Sequence, residues 1–206
     1  MAAIAVKDNA KVPARLAIAW LTLFVIGTDL FVISPLLPMI AGHYGVSPSS
    51  AGISAAGFAL GYLLSALSFE RIAADIGRRN LLTCSLIGLG VADLMIATAG
   101  TFSGFVAAWV LTGCMAAAAT PAVYARVGDR AVIGARGAWL AIAASMLLGA
   151  PLGAAVGEHF GWPVVFIALA ASSLALGWAN HRCAVVASPA PVDAEVSPQG
   201  AIATAS

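Results

Sequence analysis

The chain has 206 residues, 61% of them hydrophobic and only 9% charged, with a mean hydropathy of +0.97. A soluble domain carries about a quarter charged residues, so this composition excludes a water-soluble globular protein and marks an integral membrane protein. The formal net charge of +1 and the lack of any basic tract give no sign of nucleic-acid binding.

Residues 1–14 form a short polar segment with Lys7 and Lys11. The apolar run after it is too long for the core of a signal peptide and reads as a retained first span. Six apolar segments follow, at 16–41, 51–69, 81–100, 105–125, 137–157 and 162–179. Each is long enough for the roughly 20 residues that a bilayer core requires. Gly and Ser punctuate the turns, and Pro163 falls in the first turn of the sixth span, where its missing N–H costs nothing. The fold expected is all-α, a polytopic bundle of six transmembrane helices over 15–181.

All ten Lys and Arg residues fall at one end of these spans. Lys7, Lys11 and Arg15 precede the first; Arg71, Arg78 and Arg79 lie between the second and third; Arg126, Arg130 and Arg136 lie between the fourth and fifth; Arg182 follows the sixth. By the positive-inside rule both termini are expected in the cytoplasm and the bundle in the plasma (inner) membrane. Residues 182–206, rich in Ala, Pro, Ser and Val, read as a disordered cytoplasmic tail.

Two acids lie within the apolar spans. Asp29 is about 21 Å along its helix from Arg15 at roughly 1.5 Å per residue. A carboxylate at that depth is costly, so it is expected to face a cavity or a partner. A group whose charge changes with hydration is what a proton-coupled carrier needs; the alternative is a structural acid hydrogen-bonded to a neighbouring helix. Asp93 sits at similar depth in the third span. Gly90, Ala97 and Gly100 share its face, so it points toward packed helices. A polar tether and a substrate or proton site are both consistent with that placement.

Glu70, Arg71, Asp75, Arg78 and Arg79 make a charged connection between the second and third spans. Gly77 allows a tight turn there, and Asp75 is positioned to stabilise the start of the third helix. An ordinary topology-setting loop and a latch both fit this pattern. In the fifth span Gly137, Ala141, Ser145, Gly149, Gly153 and Gly157 recur every fourth residue, a ridge almost without side chains along which another helix can approach closely. Pro151 interrupts it, as membrane helices tolerate when neighbours satisfy the freed backbone groups.

Cys84, Cys114 and Cys183 form no CxxC pair and read as small hydrophobes, with the first two buried in spans. His43, His159 and His181 lie at span ends, and Asp129 in a polar loop. No hydrolytic triad, phosphate-binding glycine loop, metal cluster or cofactor motif is visible, so an enzyme is not expected. A channel is disfavoured because no Gly-rich filter or charged ring is present.

Four stretches together resemble the N-terminal half of a major facilitator superfamily transporter, in the drug:proton antiporter branch that includes multidrug and sugar efflux pumps. They are Gly27-Thr28-Asp29-Leu30-Phe31-Val32-Ile33-Ser34-Pro35-Leu36-Leu37-Pro38; the loop from Glu70 to Arg79; Leu111-Thr112-Gly113 through Thr120-Pro121; and Gly149-Ala150-Pro151-Leu152-Gly153-Ala154 followed by Phe160-Gly161-Trp162. The resemblance implies alternating access by two six-helix halves rocking around a central site. It implies efflux of a small organic molecule coupled to proton entry, a charge latch at the 70–79 loop, and packing of the fifth helix at the boundary with the other half. Against the loop pattern GxLADRxGRR, the Gly, Asp and Arg positions hold Glu70, Ala74 and Asp75. In the fourth span the family's embedded arginine is replaced by Trp109. The expected partners are the bilayer, a small-molecule substrate, protons, and a second six-helix half from a homodimer or a separate chain. The ridge around Gly149, Pro151 and Gly153 is expected to meet that half. The alternative is a truncated, transport-inactive half-carrier that acts as a membrane interaction partner.

Overall fold

The computed structural model describes residues 2–128 and 131–185, with side chains for 16–68, 76, 77, 79–124 and 136–183. Its elements are helices throughout the described residues: α1 (Ala2–Tyr44), α2 (Pro48–Ile76), α3 (Arg78–Ala97) and α4 (Phe102–Gly128). The fifth element, α5, runs as Ala131–Ala144, a π-helical turn Ser145–Gly149, and Ala150–Phe160; α6 is Trp162–Val185. Among the described residues six helices are long and apolar enough to cross a membrane. Helices satisfy every backbone group internally, which is the condition for crossing hydrocarbon.

Local chemistry sets the ends. After Tyr44 the Val46 N–H bonds the Ala41 carbonyl at 3.0 Å and the Gly45 N–H bonds Gly42 at 3.4 Å. This is a Schellman stop, with Gly45 at φ 64 supplying the left-handed residue it requires. Ser47 caps α2 through the Ser50 N–H at 3.1 Å, with Pro48 at the first helical position. Thr101 caps α4 in the same way through Gly104 at 3.2 Å.

Several boundaries differ from the sequence reading. The segment before residue 15 is helical and continuous with the first span. The connection at 70–79 is mostly helix: α2 continues to Ile76 and only Gly77, at φ 79, breaks the chain before α3. The sixth helix continues past Arg182 to Val185, because no Gly or Pro stops it; residues 186–206 of the expected tail, and Asp129, lie outside the described residues.

The helices α4 and α6 each pack against both α1 and α3, and α1 also meets α2 and α5. Backbones come close where glycine permits. A Cβ on Gly113 would overlap the Phe58 carbonyl, and one on Gly61 would overlap the Val110 carbonyl, so α2 and α4 touch main chain to main chain. At the end opposite the Lys and Arg residues an aromatic cluster of Tyr44, Phe102, Phe105, Trp109, Trp162 and Phe166 fills the core. Tyr44 also donates its hydroxyl to the Ala99 carbonyl at 2.8 Å.

The ridge on α5 faces the inside of its own bundle. A side chain at Gly149 would collide with Thr28, at Gly153 with Val32, and at Gly157 with Leu36. The spacing is four residues on both helices, so row packs against row. Gly137 meets Trp20, and Gly27 meets Ser145. The expectation that this ridge meets a second half is therefore corrected: α1 occupies it. The opposite side of α5 is left uncovered, with Trp139 73% and Leu147 74% exposed, and Pro151 exposed beside them.

Cys84 is another correction, since it faces outward and is exposed. Cys114 is half-buried with its thiol 3.4 Å from the Gly61 carbonyl. All three cysteines are free.

Candidate transport cavity and buried carboxyls

A cavity of about 440 Å³ lies between α1, α2, α4 and α5. Leu23, Ile26, Gly27, Leu30 and Phe31 of α1 form one wall; these positions recur at three- and four-residue steps and share a face. Phe58, Ala59 and Tyr62 come from α2, Thr120 and Tyr124 from α4, and Ile142 from α5. Among the described residues no charged side chain lines it. Four aromatic rings and three hydroxyls do, so the wall favours a ligand with a broad apolar or aromatic surface and few polar groups.

Asp29 does not line this cavity. It is 1% exposed, on a face of α1 that turns into the bundle. Asp93 is wholly buried in α3, in agreement with its small-residue face: a Cβ on Gly90 would press on Leu174 and the Ala170 carbonyl of α6. Gly100, expected on that face, lies beyond the helix end with open space around it. Both carboxyl oxygens of Asp29 and both of Asp93 lack a hydrogen-bond partner among the described residues. The two groups lie within electrostatic reach of each other. Neither is the hydrogen-bonded tether that the sequence left open.

Of the 70–79 connection, the side chains of Glu70, Arg71, Asp75 and Arg78 lie outside the described residues. Gly77 makes the turn. Arg79 reaches across to α6, where its Nη2 donates to the Cys183 carbonyl at 3.4 Å, near the negative end of that helix. Asn180 completes this tie, donating Nδ2 to Thr83 Oγ1 at 2.7 Å and to the Arg79 carbonyl at 3.4 Å. Arg79 thus joins α3 to α6 within the bundle.

Trp109, at the position of the expected arginine, is fully buried, stacks on Phe105, and meets Phe58 at a tilt and Phe166 edge-on. Its Nε1 has no partner among the described residues.

Sequence reasoning missed the cavity rings Phe31, Phe58, Tyr62 and Tyr124, because an aromatic in an apolar span carries no signal of which way it faces. It also missed the π turn. The Ala150 N–H bonds the Ser145 carbonyl, five residues back, one step before Pro151. A proline ring crowds the preceding turn, and a π turn widens the helix there. The signal was the Pro151 already noted in the ridge. Ser145 itself donates its hydroxyl to the Ile142 carbonyl at 2.7 Å while packing against Gly27.

The sequence profile described as Major Facilitator Superfamily matches residues 19–203. The chain is 31% identical over 167 residues to the uncharacterized MFS-type transporter YceJ of Bacillus subtilis (strain 168), covering 79% of this chain and 43% of the relative. It is 26% identical over 169 residues to YtbD, another uncharacterized MFS-type transporter of that organism, covering 80% and 42%. Among solved structures, the proton:xylose symporter XylE bound to 6-bromo-6-deoxy-D-glucose superposes with a TM-score of 0.73 at 16% identity, covering 84% of this chain and 45% of XylE. That likeness shows the fold, and the chain spans less than half the length of each of these proteins. A six-helix bundle of this topology, matched by the family profile over most of its length, places the chain in the major facilitator superfamily.

Proposed function

We propose that the chain is one six-helix half of a carrier that exports a small organic molecule, with proton entry through Asp29 driving the export. The observation that carries this reading is the cavity between α1, α2, α4 and α5, large enough for a small molecule and free of charged lining among the described residues. Its composition supports a drug-like aromatic substrate over a sugar, which needs several hydrogen-bonding side chains. A second six-helix half would seat on the uncovered apolar faces of α2 and α5. Leu60, Leu63, Leu64 and Leu67 on α2, and Leu147, Leu148 and Leu152 on α5, are exposed there. These are the two spans least buried within the bundle, at 22% each against 56% for the first. The distribution of Lys and Arg supports both termini in the cytoplasm.

A transport-inactive half-carrier is the second reading. Trp109, locked among aromatic rings with no ionisable group in its place, favours it. Proteoliposomes separate the two readings. The chain is reconstituted alone and with a second six-helix half as a separate polypeptide, and an acidic lumen is imposed. Carriage predicts gradient-driven uptake of ethidium in at least one preparation and none of D-xylose. No ethidium uptake in either preparation contradicts carriage and leaves the inactive reading.

A further inference from the structure

The first helix presents two faces with different chemistry. Leu23, Ile26, Gly27, Leu30 and Phe31 border the cavity. At roughly 100° per residue, Asp29 lies about 130° around the helix from the centre of that face. It therefore looks away from the substrate space, into the region where α4 and α6 pack against both α1 and α3. Asp93, on α3, a helix that contributes nothing to the cavity, lies within electrostatic reach of Asp29.

Among the described residues neither carboxyl has a counter-charge. Among the described residues, Tyr62 and Tyr124 turn to the cavity, and Cys114 turns to Gly61 of α2. The titratable groups of α5 and α6 lie near their ends: Arg136, Glu158 and His159 on one, His181, Arg182 and Cys183 on the other. On α1 and α3 themselves, His43 and Tyr44 lie at one end of the bundle, while Arg79 and exposed Cys84 lie near the other. Among the described residues the four carboxyl oxygens have no hydrogen-bond partner, nor has the buried hydroxyl of Ser173 on α6. Two ionised carboxylates cannot share such a place without a cation. The smallest cation that fits without a coordination cage is the proton.

We propose that Asp29 and Asp93 form a single linked proton-binding site, separated from the substrate cavity by the body of α1. The inference rests on the carrier reading and deepens it. Proton and substrate occupy different places in this half, and their exchange is coupled through movement of α1 instead of competition for one site. Groups linked in this way titrate as a pair, so a change at one must appear at the other.

The test is an infrared difference titration of the full chain in lipid nanodiscs, following the deuterium-sensitive C=O band of protonated carboxyls. Asp29→Asn is expected to move the midpoint of the remaining Asp93 band by about one pH unit or more, a tenfold change in proton affinity. Asp93→Asn is expected to move the Asp29 band equally. Either variant suffices should the other not fold, as checked by circular dichroism. Unmoved midpoints, or no protonated band at any pH, overturn the linked site. Ala59→Trp and Leu30→Trp fill the cavity, and both protonated-carboxyl bands are expected to persist; loss of either band with the cavity filled overturns the separation. This titration needs no transport. Linked bands in a chain that moves no ethidium would remove the carrier reading alone, while ethidium transport with unlinked bands would remove this inference alone.

Discussion

Thr28 fills the space that a side chain at Gly149 would need. This contact, repeated at Val32 with Gly153 and at Leu36 with Gly157, fastens the fifth helix to the first and turns the apolar back of α5 outward. Val32→Cys with Gly153→Cys, in a background lacking Cys84, Cys114 and Cys183, should therefore form a disulfide within one chain. Mass spectrometry of the oxidised protein reads this directly. A disulfide between two chains at these positions would contradict the packing.

Close main-chain contact between α2 and α4 makes a second expectation. A methyl group at Gly113 would have to displace the Phe58 carbonyl, which belongs to a helix and cannot swing aside. Gly113→Ala should destabilise the bundle by about 1–3 kcal/mol. Gly52→Ala, where nothing lies within 4 Å, should be neutral or slightly stabilising because alanine favours helix. Unfolding of the purified protein in mild detergent compares the two, and equal stabilities would count against the described contact.

Trp109 behaves in this account as a packing residue. Its Nε1 bonds nothing among the described residues, so Trp109→Phe keeps most of the aromatic stacking at modest cost. Trp109→Ala should cost about 3–5 kcal/mol, as large-to-small changes in a core do. The same unfolding assay checks the order. If Trp109→Phe is as damaging as Trp109→Ala, the indole N–H has a role that this packing does not supply.

The tie between α3 and α6 rests on Asn180. Removing its amide leaves Thr83 Oγ1 and the Arg79 carbonyl without that donor. Asn180→Ala should cost about 1–3 kcal/mol and increase hydrogen exchange at the Arg79 end of α3. Unchanged exchange there would show that Arg79 and Cys183 hold the helices unaided.

The elements were readable in the sequence because bilayer thickness imposes a length and because Gly45, Gly77 and Gly161 mark the turns with positive φ. Facing was not. In a soluble helix the polar side declares itself, but here exposed Leu147 and packed Leu36 are equally apolar, so the pattern carries no direction. This is why the ridge from Gly137 to Gly157 was assigned to a missing partner although its neighbour lay in the same chain. Cys84 was misplaced for the same reason. Asp29 and Asp93 were visible because acids are rare in such spans. That Asp29 turns away from the cavity while Leu30 lines it depends on how α1 is rotated, which one acid in an apolar helix does not reveal.

The central claim is that Asp29 couples proton movement to carriage of a small molecule. The direct measurement is ethidium flux in proteoliposomes of the two-half assembly, comparing wild type with Asp29→Asn. Exchange of labelled for unlabelled ethidium should persist in the variant, because Asp29 does not line the cavity, whereas accumulation driven by an acidic lumen should fall at least about tenfold, a change of about 1.4 kcal/mol. Undiminished gradient-driven accumulation in Asp29→Asn would contradict the account.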